Sequence, residues 1–317
     1  MDITIIIPAF NRIWSLPKAI ESCKSDSGLS IQIIVIDDGS TDGTWEMLSQ
    51  TEGIEIYRQQ NWGKPWAVNM AFSHAKGKYI KFLDSDDWFV EGTVKKQFHL
   101  AESENADIVV AGHKIYDGDK YIRTQEWVNC DDFIAQNLGE CDSSHYSAFL
   151  FRKDFINDIP HRTSFAAADF ASRDDRCFML EAALKEPKVA VFDEATLGHQ
   201  HHDKGRLQFK KNVAQVCTNY QHVLIYKNIL KQLAETGRLT PRRVKASLNV
   251  LWPLCHWVAK YDINEAAGLF NWIKELDPEF KIAEPGVLGL AYNILGFKKT
   301  ELLLSSRRKI KNKGKRH

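Results

Sequence analysis

Three short polar motifs in the first hundred residues combine side chains that bind nucleotides and metal ions. They are Pro8-Ala9-Phe10-Asn11-Arg12, Asp37-Asp38-Gly39-Ser40 and Asp84-Ser85-Asp86-Asp87. In the third motif, three carboxylates within four residues repel one another unless a cation shares their charge. Magnesium and manganese ions bind a few protein carboxylates together with phosphate oxygens. The third motif therefore predicts a divalent-metal site for a ligand that contains a diphosphate.

The second motif predicts a carboxylate, that of Asp38, which accepts hydrogen bonds from a nucleobase or a ribose. A calcium-binding loop is excluded, because its twelfth position would be Ser49 rather than a bidentate Glu and because the motif follows a predicted strand. A polar turn that only caps a helix beginning at Thr41 or Asp42 remains an alternative.

An acidic pair later in the chain precedes a predicted helix. Asp174 and Asp175 stand before a stretch with helical spacing, Cys177–Leu184. Carboxylates at that place could stabilise the N-terminus of the helix, and such a cap is one interpretation of the pair.

Three histidines and several basic residues follow the last predicted strand, within Gly198–Arg206. A transition-metal site made by His199, His201 and His202 alone is disfavoured, because no cysteine lies near in sequence to complete it. A solvated loop and a loop that closes over a diphosphate remain the alternatives.

Apolar runs alternate with segments of helical spacing and predict the elements that position these motifs. Strands are predicted at Ile3–Ile7, Ile31–Ile36, Ile54–Tyr57, Tyr79–Leu83, Ile108–Val110, Ala148–Phe151 and Val189–Phe192. Near-continuous Ile and Val strands between helices indicate a parallel sheet buried on both faces, which places the chain in the α/β class. Ligands bind at the carboxyl ends of such strands, where all three motifs lie. Helices are predicted after Arg173 and over residues 207–235, 241–259 and 263–276.

Composition excludes several classes of protein. With 44% hydrophobic and 26% charged residues, the chain is neither disordered nor fibrous. Its six cysteines form no CxxC pair, which argues against a zinc knuckle and a dense disulfide framework and predicts reduced thiols. Met1-Asp2 leads directly into a predicted strand, and the longest late apolar run, Val287–Phe297, is too short to span a bilayer. We therefore expect a cytoplasmic protein.

A basic tail ends the chain. Residues 298–317 contain nine Lys or Arg and one acid, so the other 297 residues carry a net charge of −7. A mildly acidic body argues against a nucleic-acid-binding groove. A solvated charge run and an arm that attracts RNA are alternatives for the tail. We favour binding to an anionic membrane surface, because apolar residues adjoin the basic ones, and we expect no nucleic-acid partner.

Taken together, the motifs resemble those of the family 2 glycosyltransferases, nucleotide-sugar-dependent enzymes with the GT-A fold. The matching segments are Ile5–Arg12, Ile36–Thr44, Asn61–Gly63 and Leu83–Asp87. The resemblance covers about residues 1–205 and is densest over the first hundred. It implies a Rossmann-like α/β domain with a mostly parallel central sheet flanked by helices, followed by a C-terminal helical region.

The resemblance also implies which residues contact the donor nucleotide. They are Pro8, Ala9, Phe10, Asn11, Arg12, Asp38, Asn61, Gly63, Lys64, Asp84 and Ser85. The chain departs from the family pattern at Met70, which follows Asn69, and tryptophans stand nearby at Trp62 and Trp66. The shape of the pocket on the sugar side, and hence the donor sugar, is therefore not predicted.

Further roles follow from the same resemblance. Asp86 would bind Mn²⁺ or Mg²⁺, with His202 as the favoured histidine ligand among the three. Lys204 and Arg206 would lie near the diphosphate. Asp175 would be the catalytic base.

These roles describe an inverting glycosyltransferase of the hexosyl- or N-acetylhexosaminyl-transferase type with a nucleotide-sugar donor, expected to be a UDP-sugar. The expected acceptor is a hydroxyl of a glycan, lipid-linked glycan or glycoconjugate, as in polysaccharide biosynthesis. The enzyme would act in the cytoplasm, peripherally on the inner face of the cell membrane. A non-catalytic nucleotide-sugar-binding or scaffold subunit of a glycan assembly complex is the alternative. A nucleotidyltransferase and a dinucleotide oxidoreductase are disfavoured, because no Gly-rich loop follows the first strand.

The predicted domain organisation has three parts. Residues 1–205 form the glycosyltransferase domain, with 1–100 binding the donor and 101–205 binding the acceptor. Residues 206–297 form a helical region, and residues 298–317 form the basic tail.

Overall fold

The computed structural model describes residues 1–24, 28–141, 144–161, 174–202, 213–282 and 284–313. The chain divides into two compact units. One comprises Met1–Asn137 with Cys141–Lys210, and the other Leu138–Glu140 with Lys211–His317. The first unit contains the strands, and the second contains the long C-terminal helices.

The first unit is built on one sheet. Its strands are β1 (Ile3–Ala9), β2 (Ile31–Asp37), β3 (Glu55–Arg58), β4 (Tyr79–Phe82), β5 (Trp88–Phe89), β6 (Ile108–Asp117), β7 (Lys120–Gln125), β8 (Leu150–Arg152) and β9 (Val189–His201). The strand order is β3-β2-β1-β4-β8-β6-β9-β5, and β7 pairs with β6.

The first four strands form a parallel half-sheet. β1 pairs with β2 and β4, and β2 pairs with β3. Every residue of β1 is buried, and so is every residue of β2 after Ile31. The Ile- and Val-rich runs predict these strands correctly, because a strand buried on both faces needs apolar side chains at nearly every position. The observed ends differ from the predicted ones by one or two residues.

The second half of the sheet is mixed. β8 runs antiparallel to β4 and β6, whereas β6 and β9 run parallel. Tyr146–Ala148 forms a 3₁₀ turn, so the strand predicted from Ala148 begins two residues too early.

The prediction that Gly198–His201 belongs to a loop is wrong, because β9 continues to His201. Its carboxyl half pairs with β6, and Gly198 also pairs with Trp88 of β5. A Cβ atom at Gly198 would clash with the Trp88 ring, so a glycine is required there. The polar sequence conceals this strand, since its neighbours rather than its own hydrophobicity determine its conformation.

Helices accompany the sheet and make up the second unit. They are α1 (Leu16–Cys23), α2 (Thr44–Ser49), α3 (Lys64–His74), α4 (Thr93–Glu104), α5 (Phe133–Leu138), α6 (Lys153–Ile156), α7 (Asp174–Leu184), α8 (Val213–Glu235), α9 (Pro241–Ala259), α10 (Ile263–Leu276) and α11 (Gly286–Lys313). The predicted bounds of α9 and α10 are confirmed. Their N-caps, Thr240 and Asp262, accept hydrogen bonds from amides of the first turn.

The helix α11 bends at Gly296, whose φ of 73° is left-handed. Thr300 Oγ1 donates to the carbonyls of Gly296 at 2.8 Å and Ala291 at 3.0 Å across this bend. The predicted boundary between the helical region and the basic tail falls just after it. Within the described ranges, no helix is both long and apolar enough to cross a lipid bilayer.

Candidate active site

Strand pairing brings the three polar motifs to one edge of the sheet. Ala9, the last residue of β1, pairs with Asp37, the last residue of β2. The Asp38 amide donates to the Ala9 carbonyl at 2.8 Å, and the Leu83 amide donates to the Ile6 carbonyl at 2.9 Å. The carboxyl ends of β1, β2 and β4 therefore meet where sheets of this kind bind ligands.

The Pro8–Arg12 motif is held against the turn that follows β2. Asn11 has a φ of 54°, a left-handed conformation that Asn adopts more readily than most residues. Its amide donates to Ser40 Oγ at 2.8 Å, and its Oδ1 accepts the Thr41 amide at 2.8 Å. Phe10 remains 40% exposed beside this turn. An aromatic face is thus available next to a turn that hydrogen bonds hold in place.

Asp38 is buried, and its carboxylate is bonded within the chain. Gln59 Nε2 and the Trp62 amide donate to Oδ1 at 2.7 and 2.9 Å, and the Gly63 amide donates to Oδ2 at 3.0 Å. Burial raises the pKa of Asp38, and these hydrogen bonds oppose the increase. Asp38 therefore fixes the loop that carries Asn61 and Gly63, a positioning role that its place in the sequence did not indicate.

Asp84 forms an ion pair with Lys64, the first residue of α3, with 2.7 Å between Oδ1 and Nζ. His145 Nε2 lies 3.6 Å from Asp84 Oδ2. Burial disfavours the charged form of both side chains, but the opposite charge of the partner outweighs this effect in each case. The pKa of Asp84 lies well below its ordinary value, and the pKa of Lys64 lies well above. Ser85 is buried, and its carbonyl accepts a hydrogen bond from Ser15 at 2.8 Å.

Asp86 lies beside His202, with 2.7 Å between Oδ2 and Nε2. Arg12 Nε is 3.9 Å from the same oxygen, and the edge of the Trp14 ring packs on His202. Two ligands bound to one Mg²⁺ or similar cation at about 2.1 Å lie roughly 3 Å apart. The carboxylate of Asp86 and the imidazole of His202 are therefore spaced to share a divalent cation.

A second histidine group surrounds Asp87. His199 Nδ1 lies 3.0 Å from Asp87 Oδ2, and the His145 ring stacks on the His199 ring at 5.0 Å. Ligand atoms of Asp87, His145 and His199 lie within 4.8 Å of one another, close enough to consider a metal ion. However, His145 Nδ1 accepts the Ser147 amide at 3.3 Å, and His145 Nε2 lies 3.6 Å from Asp84 Oδ2. These contacts favour a hydrogen-bonded support for the carboxylates over a metal centre.

Asp174 and Asp175 begin α7 near the same lysine. Asp174 is buried, and its Oδ2 lies 3.1 Å from His161 Nδ1. Burial disfavours the ionised form, but the charges of Lys64 and His161 outweigh it and lower the pKa of Asp174. Asp175 Oδ1 accepts the Arg176 amide at 2.7 Å. Both carboxylates are close enough to Lys64 to help raise its pKa, so the acidic pair adjoins the third motif.

The structure thus brings the donor motifs, Lys64 and the acidic pair together. Lys204 and Arg206 lie outside the described residues, and their contact with a diphosphate stays a prediction. Sequence reasoning missed the roles of His113, His145 and His161, which contact the site from distant elements. His113 accepts the amide of His145, and burial with neighbouring cations lowers the pKa of His113 to about 3. No local pattern marks such histidines, because their partners are set by the fold.

Comparison with known protein families gives a direct match. A family model described as glycosyl transferase family 2 matches residues 4–172. The UDP-Glc:alpha-D-GlcNAc-diphosphoundecaprenol beta-1,3-glucosyltransferase WfaP of Escherichia coli is 38% identical over 105 residues, which is 32% of this chain and 42% of WfaP. Across the first three such relatives, the matched stretch spans 21–59% of the relative's length.

Solved structures of low sequence identity share the fold. Residues 1–349 of TarS from S. aureus, in complex with UDP-GlcNAc, give a TM-score of 0.56 at 16% identity over 87% of this chain and 88% of TarS. The mannosyltransferase PcManGT from Pyrobaculum calidifontis, in complex with GDP-Man and Mn²⁺, gives 0.52 at 14% identity over 97% of this chain and 86% of that chain. The predicted fold class is confirmed by this likeness.

Proposed function

This chain belongs to glycosyl transferase family 2 and has the GT-A fold, and on that premise we propose that it transfers a sugar from a UDP-sugar to a hydroxyl of a glycan acceptor with inversion at the anomeric carbon. The proposal rests on the convergence of the Asp84–Lys64 pair, the Asp86–His202 pair and Asp175 at one edge of the sheet. The Asp84–Lys64 pair can bind a ribose or sugar hydroxyl, and the Asp86–His202 pair can bind a cation. Asp175 can accept the proton of an acceptor hydroxyl.

We assign the donor nucleotide to the turns after β1, β2 and β3. Phe10 offers an exposed aromatic face to a base, and the loop that Asp38 fixes carries Asn61 and Gly63, which we assign to the same nucleotide. The ionised Asp84 accepts hydrogen bonds from hydroxyl groups of the donor. A UDP-sugar is favoured because the name of WfaP states UDP-Glc and the TarS structure contains UDP-GlcNAc.

We propose Asp86 and His202 as ligands of a divalent cation, Mn²⁺ or Mg²⁺. A cation held there neutralises the charge that develops on the departing diphosphate. Arg12 adds positive charge on the same side, and Lys204 and Arg206, close to His202 in sequence, are proposed to extend it. An imidazole ligand favours Mn²⁺ over the harder Mg²⁺. The Mn²⁺ in the PcManGT structure supports this choice.

We propose Asp175 as the base. As the acceptor oxygen bonds to the anomeric carbon, the bond from that carbon to the β-phosphate oxygen breaks, and the hydroxyl proton passes to the Asp175 carboxylate. Attack opposite the leaving group inverts the configuration. Asp174, held by His161, fixes the start of α7 and hence the backbone that carries the base.

The acceptor is proposed to be a lipid-linked glycan of polysaccharide biosynthesis, used at the cytoplasmic face of a membrane. The relative WfaP acts on a GlcNAc-diphosphoundecaprenol acceptor by name. We further propose an anionic membrane surface as the partner of the basic residues 298–317.

The proposal is tested by incubating the full chain with UDP-glucose, UDP-N-acetylglucosamine and UDP-galactose, each with Mn²⁺ and a mixture of polyprenyl-diphosphate-linked sugars. We expect UDP release with one donor, and NMR of the product should show the anomeric configuration opposite to that of the donor. Product with retained configuration would contradict the mechanism. If neither transfer nor slow donor hydrolysis occurs with any donor, a non-catalytic binding subunit is the better interpretation.

A further inference from the structure

One side of the first half of α11 presents large aliphatic residues to solvent. Val287, Leu290 and Ile294 are 85%, 58% and 71% exposed. Their spacing of three and four residues places them on one stripe along the helix. We call this set the α11 stripe. Single exposed apolar residues need no explanation, but a contiguous apolar stripe marks an interaction surface.

The opposite side of α11 anchors the helix within its own unit. Tyr292 and Phe297 are buried, and the Phe297 ring stacks on Phe270 at 4.8 Å. The Tyr292 hydroxyl donates at 2.6 Å to Glu301, which is fully buried and lies 2.7 Å from His256 Nδ1. These contacts hold both halves of α11 on either side of its bend. The stripe is therefore an outward face of an anchored helix.

Positive charge adjoins the stripe. After the bend, Lys298 and Lys299 are exposed, and Leu302 and Leu303 are 47% and 59% exposed. Residues 298–317 contain nine Lys or Arg and one acid, and that acid is the buried Glu301. A helix with an apolar face beside a dense basic segment matches the surface of a bilayer that contains anionic lipids.

We propose that α11 docks this enzyme on an anionic lipid bilayer, with the α11 stripe inserted among the acyl chains and the basic residues on the headgroups. Two copies of the chain packed in parallel through the stripe would bring their basic segments together, and like charges would oppose that arrangement. An anionic bilayer attracts the same charges. The inference rests on the proposed function, which already expects an anionic membrane surface as the partner of residues 298–317, and deepens it by assigning the α11 stripe to the same surface.

The test is flotation of the full chain with vesicles of phosphatidylcholine, with and without phosphatidylglycerol. We expect binding to the anionic vesicles and a much weaker interaction with phosphatidylcholine alone. The triple variant Val287→Ser/Leu290→Ser/Ile294→Ser should lower the partition coefficient at least about ten-fold. The double variant Lys298→Gln/Lys299→Gln should also weaken binding and reduce its sensitivity to salt.

A matched control removes exposed apolar residues from the first unit. Tyr121→Ser/Ile122→Ser/Val128→Ser replaces side chains that are 51%, 47% and 43% exposed, and it should float like the unchanged chain. Circular dichroism and affinity for UDP with Mn²⁺ should be unaltered in every variant, so membrane binding and the donor site are scored separately. Equal flotation of the stripe variant and the unchanged chain would overturn the proposal. Loss of self-association in the stripe variant, without vesicle binding by the unchanged chain, would assign the stripe to a second copy instead.

Discussion

Among single side chains, Asp175 has the most specific assignment. We predict that Asp175→Asn lowers the transfer rate by about 10²–10⁴-fold, because the amide keeps the shape of the side chain but does not take up the acceptor proton. Affinity for UDP should be unchanged by calorimetry, since Asp175 Oδ1 bonds to the Arg176 amide within its own helix.

The matched control for the proposed base is Asp154→Asn, an exposed acid in the first turn of another helix, α6. Its transfer rate should equal that of the unchanged enzyme. A normal transfer rate in Asp175→Asn would place the base elsewhere.

The metal assignment is tested by Asp86→Ala and His202→Ala. Each variant removes one of the two proposed ligand atoms, which lie 2.7 Å apart. We expect Mn²⁺ to strengthen UDP binding in the unchanged enzyme and this gain to fall at least about ten-fold in either variant. His99→Ala, an exposed histidine of α4, serves as the control. An unchanged gain from Mn²⁺ in both variants would remove Asp86 and His202 from the metal site.

The Asp84–Lys64 pair predicts a pH dependence. The folded-state pKa of Asp84 is depressed, so its contribution to stability is present above the ordinary carboxyl pKa near 4 and is lost as the pH falls toward the folded value. In Lys64→Met the largest of the charges that offset the burial of Asp84 is lost. We expect the difference in melting temperature between enzyme and variant to be largest near neutral pH and to shrink below about pH 4.

Lys76→Met is the control for this pH series, because Lys76 pairs with Glu55 at the exposed surface, where ion pairs contribute little. Its melting temperature should follow that of the unchanged enzyme at every pH. If the difference in melting temperature between the enzyme and Lys64→Met stays constant with pH, the variant acts through packing and not through the charge of Asp84.

At the scale of strands and loops, the close contact between the turn after β2 and the loop after β3 depends on a glycine. Gly39 has a φ of 77°, and a Cβ atom there would lie 3.0 Å from the Asn61 amide nitrogen. Gly39→Ala should cost about 1–2 kcal/mol for the left-handed conformation and more for the displaced loop. Because that loop carries Asn61 and Gly63, we also expect weaker UDP binding by calorimetry.

Gly53→Ala separates the cost of the left-handed conformation from the effect of the displaced loop. Gly53 has a φ of 78°, and nothing lies within 4 Å of its added Cβ. It should show the conformational cost in its melting temperature and normal UDP binding. If both variants bind UDP equally well, close approach of the β2 and β3 turns does not shape the donor site.

Elements that bury their own apolar side chains are the ones that the sequence predicts well. β1 and β2 are nearly continuous Ile and Val, and α9 and α10 carry clear cap residues, so their positions follow from local patterns. The carboxyl half of β9 has no such pattern, because pairing with β6 and β5 makes it a strand. The same limit applies to the site. Carboxylate motifs are visible in the sequence, whereas the histidines that support them are not.

At the scale of the whole molecule, the strand ends, the acidic pair and Lys64 form one charged cluster in the first unit, and the α11 stripe belongs to the second. The three polar motifs in the first hundred residues each follow a predicted strand, and this pattern predicts that their side chains meet at one edge of a sheet. The pairing of His202 with Asp86, and of His199 with Asp87, depends on the register of β9. Sequence spacing does not determine that register, since a shift of one residue reverses which side chains face the site.

The central claim, a metal-dependent nucleotide-diphosphate site, is tested most directly by the melting temperature of the full chain with UDP, GDP, CDP and dTDP, each with and without Mn²⁺. A ligand that binds the folded state alone raises the melting temperature by mass action. We predict a rise with UDP that requires Mn²⁺ and disappears in Asp86→Ala. No rise with any of the four nucleotides in the presence of Mn²⁺ would contradict the account.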